Sequence, residues 1–160
     1  MQLTMGEMGS TPPSTSTKPG AMGVIGLPMW LWVANPADNT VGPITRTAAD
    51  GGLSVTATGT LDRITWTLTD RDSGIARATV TCRGANAAGT PYDGRNNASP
   101  SPTCGIPGNL NQHPGNFTLS ATAYWTVEWR GGGQRGSINV PPQTNSTPVT
   151  IGELQVLLSR

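Results

Sequence analysis

From Phe117 to Trp129 apolar and polar side chains alternate without a slip. Phe117, Leu119, Ala121, Ala123, Trp125, Val127 and Trp129 fall on one parity, with Thr118, Ser120, Thr122, Tyr124, Thr126, Glu128 and Arg130 on the other. A period of two held that long predicts a half-buried antiparallel strand. Shorter stretches repeat the signal. Leu53, Val55 and Ala57 alternate with Ser54, Thr56 and Thr58 until Gly59 breaks the run. Ile64, Trp66 and Leu68 then alternate with Thr65, Thr67 and Thr69, and Ala76, Ala78, Val80 and Cys82 oppose Arg77, Thr79 and Thr81. A first strand is expected over 24–33 (VIGLPMWLWV) and a short one over 44–49. The cluster NPADNTVGP, Asp50-Gly51-Gly52, Asp70 to Gly74 and Gly131 to Gly133 supply the turns. The last of these returns the chain into a partner strand near Ser137 to Val140. A final strand is expected from Thr147 to Leu158, with Val149 and Ile151, then Leu154, Val156 and Leu158, facing inward. The change of parity places a β-bulge at Gly152-Glu153.

Two segments carry no such pattern. Residues 1–22 are rich in Ser, Thr, Pro and Gly and read as a disordered tail or linker. Residues 83–115 are full of Gly, Asn and Pro and read as a long loop, which is uncommon inside a compact domain. No stretch combines helical spacing with a cap. The fold class expected is therefore all-β: a single antiparallel β-sandwich of about seven or eight strands over residues 23–160.

Composition agrees with that reading and narrows the chemistry. The chain has 160 residues, enough for one domain or a domain and a tail, with 21 glycines, 14 prolines and 12% charged residues. Such a balance favours strands and turns over helices and excludes a coiled coil. A formal net charge of +1 gives no electrostatic reason to expect a nucleic-acid or acidic-membrane partner, and a single histidine excludes a histidine-built metal site. The apolar stretch from Met22 to Val33 is interrupted by Pro28 and too short to span a membrane, so no membrane insertion is expected.

Cys82 and Cys104 are the only cysteines and have no CxxC spacing. They read as a disulfide staple across the patternless loop, two unpaired thiols being the alternative. Closing that loop is worth about 3.4 kcal/mol in the chain-entropy model. A staple of this kind favours an oxidising, extracellular or cell-surface location. Residues 1–20 hold one lysine, Lys18, and no apolar run, so the export expectation places the true start upstream of Met1.

Candidate chemistry is sparse. His113 lies in the loop Asn111-Gln112-His113-Pro114 with no nucleophile marked nearby. Asp70 and Asp72, in DRDSG, are a weak calcium candidate. They lack the later bidentate glutamate of a full calcium loop, and a plain turn is the simpler reading. Gly131 to Gly133 have no following Lys-Ser or Lys-Thr, so nucleotide binding is not expected. Asn97, Asn116 and Asn145 begin glycosylation sequons that chance accounts for in so Asn/Ser/Thr-rich a chain. Of five tryptophans, Trp66, Trp125 and Trp129 fall on the apolar parity and read as core. Trp30 and Trp32 share one face of the first strand, and core packing competes there with an exposed sugar-stacking or protein-binding patch.

The strings GLPMWLW (26–32), ITWTL (64–68), VTC (80–82), GTPY (89–92), SPTCG (101–105), AYWTVEW (123–129) and IGELQVLLS (151–159) carry a resemblance. In order and spacing the chain, over about residues 23–160, resembles the C-terminal domain of uncharacterised secreted or surface proteins of actinobacteria, often labelled "ATP/GTP-binding protein". The resemblance implies a PKD- or Ig-like sandwich, with the family's two cysteines at Cys82 and Cys104, and an export signal ahead of the domain. It brings no catalytic residue, and the residues themselves do not support the nucleotide label. The function expected is a non-catalytic surface module for adhesion, assembly or protein interaction, with envelope proteins or cell-wall polysaccharide as partners and no cofactor. The alternative is a carbohydrate-binding module using Trp30 and Trp32. An enzyme is the least supported reading.

Overall fold

The computed structural model describes residues 1–94 and 98–153. The protein is all-β: among the described residues the only helical pieces are two single 3-10 turns, Gly84–Asn86 and Gly108–Leu110. The strands are β1 (Met8–Ser10), β2 (Gly23–Val24), β3 (Met29–Val33), β4 (Ile44–Asp50), β5 (Leu53–Asp70), β6 (Ala76–Arg83), β7 (Gly105–Ile106), β8 (Gly115–Gly131), β9 (Gln134–Asn139) and β10 (Gln143–Gly152). They form a small sheet, β1-β3-β7, and a large curled sheet, β2-β10-β8-β5-β4, with β6 also on β5 and β9 also on β8.

Two long strands organise the large sheet. β5 has 18 residues, β8 has 17, and they run antiparallel over nearly their whole length. Each has two successive partners on its other edge. β5 pairs first with β4 and then with β6; β8 pairs first with β10 and then with β9. The sheet thus has a body (β6, the second half of β5, the first half of β8, β10 and β2) and an arm (β4, the first half of β5, the second half of β8, and β9). Two hairpins close the arm. Gly51 and Gly52 (φ +55° and +79°) join β4 to β5, and Gly132 and Gly133 (φ +57° and +74°) join β8 to β9. Positive φ at both central residues matches the right-handed twist of the flanking strands.

The core lies between the inner face of the body and the small sheet. Ile64, Trp66, Leu68, Phe117, Leu119, Val149 and Ile151 are buried there against Met29, Leu31, Val33 and Ile106. Large and small residues face each other across the strands. Trp66 lies opposite Ala121, and Ile64 opposite Ala123, so the indole has room without strain.

The structure corrects several expectations. Residues 1–22 contain a strand: β1 pairs with β3, and Met5, Ser10 and Ser14 are buried. Gly9 makes the pairing possible, because the Trp32 indole lies where a Cβ at Gly9 would stand. The stretch 24–33 divides into β2 and β3. The two alternating runs either side of Gly59 are one strand. Gly59 passes beneath Ile44, and an irregularity at Leu61–Arg63 inserts Asp62 and shifts the inward parity from odd to even residues. The pairing is not wholly antiparallel, since β2 runs parallel to β10 through Gly23↔Ile151 and Val24↔Gly152. The loop 83–115 holds β7 and both 3-10 turns. The final strand begins earlier than expected, at Gln143, and Leu154, Val156 and Leu158 lie outside the described residues.

Candidate functional site

The tryptophan pair on β3 is not an exposed platform. Trp30 is 1% exposed; its Nε1 donates to the Ser99 carbonyl (2.8 Å), and its ring meets Tyr92 edge-on at 5.2 Å. Trp32 is half-buried against Gly9 of β1, and its backbone bridges to Gly89. The loop that carries no sequence pattern therefore covers the face where stacking was weighed. Trp66 and Trp125 are buried as expected, while Trp129 is only half-buried where the arm leaves the core.

Asp70 serves its own turn. One carboxylate oxygen accepts the amides of Asp72 (2.9 Å) and Ser73 (3.3 Å), and the other lies 3.8 Å from Arg77. The amide hydrogen bonds, and then the Arg77 charge, hold its carboxyl below the usual carboxylate range. No group of three or more His, Cys, Asp or Glu gathers among the described residues, so Asp70 and Asp72 have no third such side chain beside them there. Added calcium should leave the melting temperature unchanged. A site filled at a hundred times its Kd would add about 2.7 kcal/mol, a shift plain in a thermal scan.

Cys82 of β6 and Cys104, beside β7, form a disulfide with Cα atoms 5.7 Å apart. The bond joins the large sheet to the small one, and both residues are buried in the common core. His113 is exposed in its loop. The Asn145 amide donates to the Gly6 carbonyl (2.9 Å), Asn116 accepts from Thr150 (3.0 Å), and Asn97 lies outside the described residues.

What the structure does assemble is the outer face of the large sheet. Thr81, Thr65, Thr122 and Thr144 lie side by side across β6, β5, β8 and β10. Their hydroxyls pair at 3.1 Å (Thr65–Thr81) and 3.0 Å (Thr122–Thr144). On the arm, Thr45 pairs with Thr58 (3.1 Å) and Thr47 with Thr56 (2.9 Å). Each hydroxyl keeps further donor or acceptor capacity toward solvent. Arginines interrupt this grid. Arg63 lies opposite Arg83, its guanidinium 3.8 Å above the Tyr124 ring and 2.6 Å from Asp62. Arg130 lies opposite Arg135 across the β8–β9 hairpin. Sequence reasoning recorded Arg130 only as a polar-parity residue and did not reach this pair. The available signal was the hairpin itself: a two-residue Gly132-Gly133 turn makes 130 and 135 direct partners.

The chain matches no family model, no curated protein and no solved structure.

Proposed function

We propose that the chain is a non-catalytic extracellular or cell-surface module for adhesion or assembly, and that the outer face of the large sheet is its binding surface. The observation that carries this reading is the makeup of that face: hydroxyls and arginines laid across six strands, all on the side away from the core. Backbone pairing holds these side chains in fixed rows, so docking a partner orders side chains but no backbone. The disulfide supports an oxidising compartment. Among the described residues no helix is long and apolar enough to cross a membrane. The reading keeps the resemblance to actinobacterial surface proteins and an Ig- or PKD-like sandwich for the body. It gives the protein no cofactor and no nucleotide. Tryptophan stacking, the alternative route to a carbohydrate, loses its platform with Trp30 buried.

Co-sedimentation with purified actinobacterial cell envelope tests the proposal. The protein should pellet with the envelope, and Thr122→Glu, at the centre of the outer face, should lose most of that retention at an unchanged melting temperature. Protein left in the supernatant, or a variant that pellets as well as the parent, would overturn it.

A further inference from the structure

Cross-strand neighbours on a sheet normally avoid like charges, because directly opposed cations repel at short range. This sheet opposes them twice on one face, at Arg63↔Arg83 and Arg130↔Arg135. The first pair is partly relieved by Asp62 and the Tyr124 ring. The second has no ion-pair partner within 4 Å among the described residues. Glu128, one row along, lies opposite Thr58 and Ser137 and reaches neither arginine. Both side chains of the Arg130–Arg135 pair are exposed, and together with Thr56, Thr58, Ser137 and Trp129 they line a shallow cleft of about 760 Å³, whose one acidic lining residue is Glu128, a row away from the arginines.

We propose that this cleft binds the acidic groups of an anionic polysaccharide, with Arg130 and Arg135 taking a carboxylate between them. The proposal rests on the reading of the outer face as the binding surface and names the chemistry of the partner. Two guanidiniums offer forked donors matched to a carboxylate, and a bound anion removes the repulsion between them. Thr56, Thr58 and Ser137 supply neutral donors and acceptors for sugar hydroxyls. The second arginine pair extends the match. Arg63 pairs with Tyr124, six residues before Arg130 on β8, so strand rise alone sets the two pairs about 20 Å apart. A ligand meeting both is a polymer with spaced charges. A nucleic acid is disfavoured, because base stacking needs an open aromatic surface, whereas Arg63 covers Tyr124 and Trp129 at the cleft is half-buried.

The test uses polygalacturonate as the acidic glycan, with dextran of matched length and a single-stranded DNA oligonucleotide alongside. The protein should bind polygalacturonate with an affinity that falls as salt rises, and should ignore dextran. Arg130→Gln/Arg135→Gln should lose about tenfold or more in affinity. It should melt no lower than the parent, since it removes an opposed like-charge pair. Arg46→Gln, on the opposite face of the arm, should bind as the parent does. Equal affinity of parent and double variant, equal binding of dextran, or tighter binding of DNA would overturn the proposal. If the parent pellets with envelope through Thr122 yet ignores polygalacturonate, the ligand class fails and the binding face stands. If neither binds, both fail.

Discussion

Trp66→Ala should lower the unfolding free energy by about 3–5 kcal/mol, the range for emptying a buried aromatic site. Trp66 is 0% exposed, and its neighbours across the strands are Val80 and Ala121. Within the sheet only Val80 and Ala121 flank the vacated space, so neither cross-strand neighbour is large enough to fill it. The indole Nε1 is buried with no hydrogen-bond partner among the described residues. Trp66→Phe therefore removes an unsatisfied donor as well as some volume. An unpaired buried donor costs about 1–3 kcal/mol, so the phenylalanine variant should lie close to the parent. Urea unfolding with the slope held constant checks both. A phenylalanine variant as unstable as the alanine variant would show that the indole N–H has a partner in solution.

Removing the disulfide should have the second-largest effect. With 22 residues of separation, the chain-entropy model gives about 3.4 kcal/mol from the unfolded state alone. The folded state should also loosen, unevenly. β7 has only two register pairs with β3, Met29↔Ile106 and Trp30↔Gly105, so without the bond it is held by a short ladder. The body is held by β5, β8 and β10, none of which the bond touches. Cys82→Ala/Cys104→Ala should therefore shift the urea midpoint down and speed proteolysis within 84–103 before cleavage appears in β5 or β8. An unchanged midpoint would remove the staple from the account. Simultaneous cleavage throughout would mean that the small sheet and the body unfold as one unit.

Much of the body was legible because its strands are long and half-buried. The alternation from Phe117 to Trp129 predicts the inner and outer faces of β8 residue by residue, and the two cysteines predict their bond. What the pattern hid has physical causes. β1 is three residues long, too short to alternate, and its key residue, Gly9, has no side chain to register. β5 reads as two strands because Asp62 shifts the parity and Gly59 leaves a gap where Ile44 packs. Trp30 could not be assigned, since its burial depends on a loop whose own sequence has no period. The outer face was visible only as "the polar side". The feature proposed to bind is a register, Arg130 against Arg135 and Arg63 against Arg83, and register needs the hairpin and the bulge to be placed first.

Arginine footprinting on whole envelope tests the central claim, that the outer face of the large sheet is the binding surface. The protein is treated with phenylglyoxal with and without purified envelope, and modification is read site by site by mass spectrometry. Arg63, Arg83, Arg130 and Arg135 share the outer face, Arg46 lies on the opposite face of the arm, and Arg71 sits in the turn after β5. The account predicts protection of the first four with Arg46 and Arg71 still modified. Protection of Arg46 with the four outer arginines left reactive would contradict it.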